Sequence, residues 1–136
     1  LVCANPKPLS FDLPLDAPQT KKFAYADSVL PYEISVAEVA QLRATGTPFT
    51  LLDVREPWEV ATASIGGSVD VPMGEIPARA NQELDPDAHI VVVCHHGARS
   101  LSVTAWLRRE GFDRAQSMAG GINQWTREID PKVPLY

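Results

Sequence analysis

The sequence predicts an α/β fold: a single domain built on a central, mostly parallel sheet with helices on both faces. Three observations predict it. Short apolar, β-branched runs alternate with segments of helical period. The chain between successive runs is long enough for the crossover that parallel strands require. The run "HIVVVC" at 89–94 is apolar without alternation, the pattern of a strand buried on both faces.

The elements follow in order. Ser35 and Glu38 form the S-x-x-E pattern of a capping box. Val36, Val39 and Ala40 then share one helical face, and Gly46 is placed to end the helix in a left-handed conformation. "FTLLDV" at 49–54 reads as a strand, and Glu56-Pro57 opens a short helix carrying Trp58 and Val60. "SVDVPM" at 68–73 reads as another strand, and Pro77 to Leu84 as a helix stopped near Asp85-Pro86. After the 89–94 strand, Arg99 to Glu110 reads as a helix with Val103, Trp106 and Leu107 inward, closed by Gly111. "AQSMAG" at 115–120 is a weaker strand. Ile122, Trp125 and Ile129 mark the inner face of a last helix ending before Pro131.

Residues 1–31 read differently from the domain at 32–136. Five of the twelve prolines lie there, and no period survives across them. They read as an extended arm, draped on the domain through Phe11, Leu13, Leu15, Phe23 and Tyr25 or left as a disordered tail. The 136-residue length suits one core, and the 45% hydrophobic and 21% charged content is ordinary for a globular protein. A net charge of −5 argues against nucleic-acid binding, which needs clustered Lys and Arg. No apolar run approaches the roughly 20 residues that span a bilayer, so no membrane partner is expected. Two cysteines, Cys3 and Cys94, make no disulfide framework, and a cytoplasmic location is expected. The chain begins at Leu1, so a cleaved targeting segment, with export or an organelle as destination, or a longer parent chain is the alternative.

Chemistry concentrates in "CHHGARS" at 94–100, at the carboxyl end of the best strand, where open α/β sheets place their sites. The backbone amides from His95 to Ser100 are placed to converge as an anion-binding nest at a helix N-terminus. Gly97 permits the tight curl, and Arg99 adds a permanent charge able to fork onto an oxyanion. Each feature favours a thiolate at Cys94 near neutral pH. The plain alternative is a cysteine packed into the core and inert. Cys-His-His also invites a metal reading, but three successive residues on one tight loop can hardly converge on one ion. His89 stands alone at the far end of the strand, where it caps or faces solvent, so no metal is expected.

The loop "CHHGARS", the segment "LLDVREPWEVATASIGGSVDVPM" and the segment "GFDRAQSMAGGINQW", in this order and spacing, resemble the rhodanese domain, the thiosulfate sulfurtransferase family. The resemblance covers about residues 33–130. The tail "REIDPKVPLY" is similar to the ending of single-domain rhodaneses and of rhodanese modules fused to adenylyltransferases that activate sulfur carriers. The resemblance implies a five-stranded parallel sheet and a loop that cradles a cysteine persulfide, with no other cofactor. It makes Cys94 the sulfur acceptor, with Arg99 beside it, and His95, His96, Gly97 and Ala98 the cradle, Ser100 opening the helix. It implies that Asp53 and Arg55 are polar anchors near the site, paired to each other, with Arg55 also within reach of substrate. Gly120, Gly121 and Trp125 match the family's "GG…W" and imply close backbone approach and packing. One departure stands out: Ser64-Ile65-Gly66-Gly67-Ser68 replaces the family's frequent His-Ile-Pro-Gly-Ala, which puts the rigidity of that loop in question.

The implied activity is that of a thiosulfate sulfurtransferase: sulfane sulfur moves from thiosulfate or a related small anionic donor, through a Cys94 persulfide, to cyanide, a thiol or a sulfur-carrier protein. A phosphatase or arsenate reductase of the same superfamily is the nearest enzymatic alternative. The family's phosphatases carry one more residue between cysteine and arginine, whereas four separate Cys94 from Arg99 here. A docking module in a sulfur-relay complex is the alternative from another class, and retention of Cys94, Gly97 and Arg99 argues against a purely structural role.

Overall fold

The computed structural model describes residues 29–136. The expected arm, apart from its last three residues, and Cys3 lie outside the described residues. Five strands form one sheet in the order β1-β5-β4-β2-β3, every pairing parallel. The strands are β1 (Glu33–Ile34), β2 (Thr50–Asp53), β3 (Val69–Asp70), β4 (Ile90–Val93) and β5 (Ala115–Met118). The helices are α1 (Val36–Thr45), α2 (Pro57–Thr62), α3 (Ile76–Glu83), α4 (Ala98–Arg109) and α5 (Gly121–Glu128), with a single 3-10 turn at Met73–Glu75 before α3.

Local signals account for most boundaries. At the start of α1, the Glu38 amide donates to Ser35 Oγ at 3.1 Å while the Ser35 amide donates to Glu38 Oε1 at 3.0 Å, the reciprocal capping box. Gly46 ends α1 at φ 71°, a left-handed turn that a side chain would strain. Two expectations need adjustment. The strand expected at 68–73 pairs only through Val69 and Asp70 at the sheet edge, because the chain then turns into Met73–Glu75. The fifth strand is the two-residue β1, whose Glu33 and Ile34 pair with Ser117 and Met118.

The sheet separates two apolar layers, as period-two alternation requires. Leu52, Ile90 and Val92 face Ile76 and Ala80 of α3 and Val103 and Leu107 of α4. Leu51, Val91 and Val93 face Val36 and Val39 of α1 and Ile122 and Trp125 of α5. All four β4 residues are buried, so β4 is the spine of the molecule. The chain leaves β2 outward to β3, returns to β4, and continues on the other side to β5. The carboxyl ends of β2, β4 and β5 therefore meet at a switch point of the topology, where such sheets open a crevice.

Candidate active site

Cys94 follows the last residue of β4 and is 1% exposed. The chain curls at Gly97, with φ 112°, and enters α4 at Ala98, one residue before the start at Arg99 read from the sequence. The curl turns polar groups onto the sulfur. The Gly97 amide donates to Cys94 Sγ at 3.0 Å and the Ser100 amide at 3.3 Å. The thiol donates to Ser100 Oγ at 3.4 Å, and that hydroxyl is fixed by the Gly97 carbonyl at 3.1 Å and Ser117 Oγ at 2.7 Å. A thiol that only filled core space would need none of these. Two amides and a rotatable hydroxyl are the groups that a sulfur anion requires on leaving water.

The loop is held from behind by α5. The Ile122 amide donates to the Cys94 carbonyl at 2.9 Å, and the Asn123 amide to the His95 carbonyl at 3.1 Å. This approach explains the second glycine of the pair. A side chain at Gly121 would meet the His95 carbonyl and lie 2.6 Å from the Cys94 carbonyl oxygen.

The arginine expected to reach for an oxyanion has a partner. Arg99 Nη1 donates to Glu59 Oε1 at 2.7 Å and Nη2 to Oε2 at 2.9 Å. Glu59 sits in the first turn of α2. Its Oε1 also accepts the Glu56 amide at 3.0 Å and its Oε2 the Tyr136 hydroxyl at 2.8 Å. The hydrogen bonds from Arg99 outweigh burial and hold the Glu59 carboxyl well below its ordinary value, at about 2. The same bonds raise Arg99. Tyr136 carries the network onward: its hydroxyl accepts from Arg55 Nη1 at 3.0 Å, and Arg55 forks onto Asp53 through Nε at 2.9 Å and Nη2 at 2.7 Å. Arg55 is thus wholly enclosed and spent on protein groups, its Nη2 also reaching the Ala63 carbonyl at 2.7 Å.

The histidines form a wall rather than a ligand set. His95 stacks between His96 and Tyr136, 3.9 Å from each centroid, and Tyr136 meets the edge of Trp58 at 6.0 Å. Burial and then the neighbouring His96 push the His95 imidazole below its usual range. His89 does not face solvent as expected; it is half-buried, with Nε2 2.8 Å from Gln116 Oε1. Among the described residues no group of His, Cys, Asp or Glu side chains is assembled to hold a metal ion. The structure thus gathers Cys94, His95, His96, Gly97, Ala98, Arg99 and Ser100 in one loop and links Arg99 to Asp53 and Arg55 through two residues that sequence reasoning missed, Glu59 and Tyr136. Their signals were faint: a second glutamate in "EPWEV" and the final tyrosine of a tail noted only for its resemblance.

Fold and site define a class: α/β proteins that present a hydrogen-bonded cysteine at the carboxyl end of the central parallel strand. The chain belongs to the rhodanese-like domain family, whose model matches residues 35–128. It is 35% identical over 101 residues to a protein named sulfurtransferase from Allochromatium vinosum, covering 74% of this chain and 94% of that one. It is 33% identical over 128 residues to the maize (Zea mays) adenylyltransferase and sulfurtransferase MOCS3-1, covering 88% of this chain but 27% of that longer protein. The structure is similar to that of the human single-domain sulfurtransferase TSTD1, with a TM-score of 0.64 and 26% identity, over 73% of this chain and 98% of that one. No helix among the described residues is long and apolar enough to cross a membrane.

Proposed function

We propose that the protein is a sulfurtransferase that moves a sulfane sulfur from thiosulfate or a related donor to a thiophilic acceptor through a persulfide on Cys94. The observation that carries the reading is the polar surround of a buried sulfur: the Gly97 and Ser100 amides donate to it and the Ser100 hydroxyl accepts from the thiol. The Cys94 thiolate attacks the outer sulfur of thiosulfate. The S–S bond of the donor breaks, its electron pair leaves with sulfite, and Cys94 retains a persulfide anion. An acceptor then takes the terminal sulfur: cyanide leaves as thiocyanate, and the Cys94 thiolate is restored. Both steps conserve charge and need no oxidant. The amides serve the anion in each state, and the nucleophile needs no separate base once ionised. A thiol or a sulfur-carrier protein is the proposed biological acceptor, a reading supported by a Bacillus subtilis relative named putative sulfur carrier protein YrkF.

Intact mass spectrometry after incubation with thiosulfate tests the assignment. The wild-type chain should gain one sulfur atom and lose it on addition of cyanide, with the gain on the peptide containing Cys94 and not on that containing Cys3. Cys94→Ser should gain nothing. An equal gain in Cys94→Ser would place the sulfur elsewhere and sink the proposal.

A further inference from the structure

Arg99 stands beside the cradle as half of an ion pair. Both of its Nη atoms are on Glu59, whose side chain is 5% exposed and so is scarcely screened by water. The carboxylate is fixed independently of Arg99 by the Glu56 amide and the Tyr136 hydroxyl. Tyr136 is itself clamped, its ring against His95 and its hydroxyl under Arg55 Nη1. The second pair of this network, Asp53 with Arg55, is also closed on itself. These two ion pairs beside the cradle therefore sum to no net charge. The positive field at the sulfur comes from backbone amides and the start of α4, while Arg99 keeps three of its five N–H donors beyond the two that meet Glu59.

We infer that Glu59, held in place by Tyr136, is a specificity-determining positioning residue: it cancels the charge that Arg99 would show to a sulfur donor, and so weights the site against dianionic donors. The inference rests on the sulfur-transfer reading and sharpens it. A donor is selected here by the hydrogen bonds it accepts, from amides and from the free N–H groups of Arg99, rather than by its net charge. Thiosulfate, a dianion, meets this neutral surround at a disadvantage relative to a monoanionic thiosulfonate that offers the same sulfur bonded to an oxidised sulfur. Removing the carboxylate charge unmasks Arg99, and the benefit scales with the charge on the donor.

Steady-state kinetics of the wild type, Glu59→Gln and Tyr136→Phe with thiosulfate and with benzenethiosulfonate provide the test. In Glu59→Gln the KM for thiosulfate should fall about tenfold and that for the monoanion about threefold, the ratio expected when one neighbouring charge acts on donors of two charges and one. Tyr136→Phe removes one of the bonds that fix Glu59 but keeps the ring stack, and should move the thiosulfate KM the same way by about twofold. A thiosulfate KM that is unchanged or raised in Glu59→Gln, or that falls equally for both donors, overturns the inference. Should Glu59→Gln fail to fold, Tyr136→Phe decides: an unchanged thiosulfate KM there overturns it. If neither donor places sulfur on wild-type Cys94 by intact mass, the functional reading fails and this inference with it. If sulfur loads but the donor order ignores Glu59, only this inference fails.

Discussion

Two arginine–carboxylate pairs lie within one hydroxyl of each other, and they do different work. Arg55 and Asp53 have side chains 0% and 4% exposed, whereas Arg99 is 34% exposed over a Glu59 that is 5% exposed. Arg55 spends its nitrogens on Asp53, Tyr136 and the carbonyls of Glu59 and Ala63. It ties the end of β2 to both ends of α2, and burial of its charge is more than offset by hydrogen bonds to Asp53 and Tyr136. Arg99 makes one fork and keeps a face toward solvent. Burial, not residue type, divides scaffold from chemistry: an arginine with no remaining donors cannot meet a substrate, and one at the rim can.

The largest effect that would break the comparison is at the enclosed pair. Arg55→Ala leaves Asp53 buried without its partner and should cost about 3–5 kcal/mol of stability. Chemical denaturation would show it, and a loss under 1 kcal/mol would mean that water or a rearranged side chain replaces the guanidinium. Arg99→Ala should instead appear mainly in rate, slowing transfer from thiosulfate on the order of 10²-fold. Glu59 would also lose two of the four hydrogen bonds on its carboxylate. A smaller stability loss, about 1–3 kcal/mol, should accompany the slow turnover.

Acid sharpens the contrast further. Because the Glu59 carboxyl is held near 2 in the folded protein against an ordinary 4.5, its contribution to stability is complete above 4.5 and is lost as pH falls toward 2. Thermal unfolding across that window should therefore slope more gently in Arg99→Ala than in the parent. Parallel slopes would mean that Arg99 is not what holds the carboxyl down. The smallest effect belongs to Tyr136→Phe, which removes one hydrogen bond from each pair and should cost about 1 kcal/mol.

What the sequence made legible followed range. Caps, helical faces and the all-apolar β4 run are set by residues within a turn or two of one another, and they appear where local pattern placed them. The strand β1 was not legible, because two residues carry no period and β5 supplies the pairing. Glu59 and Tyr136 were missed for the same reason in stronger form: Arg99 lies 40 positions from Glu59, and Tyr136 lies 77 from it. The loop at Ser64–Ser68, whose stiffness its composition put in question, uses left-handed backbone at Gly66 and Gly67, and Arg43 Nη1 donates to the Gly66 carbonyl at 3.2 Å.

The bonds from α5 to the active loop act as a compass for peptide planes. A trans peptide is rigid, and its N–H points opposite to its C=O. When the Ile122 amide draws the Cys94 carbonyl toward α5, the His95 N–H of the same plane is turned away from that helix. When the Asn123 amide draws the His95 carbonyl, the His96 N–H is turned likewise. The orientation of the first peptide planes of the loop is thus written by backbone amides of a neighbouring helix. A change at Gly121 that displaces α5 would rotate those planes and misdirect the cradle while leaving every residue of "CHHGARS" in place.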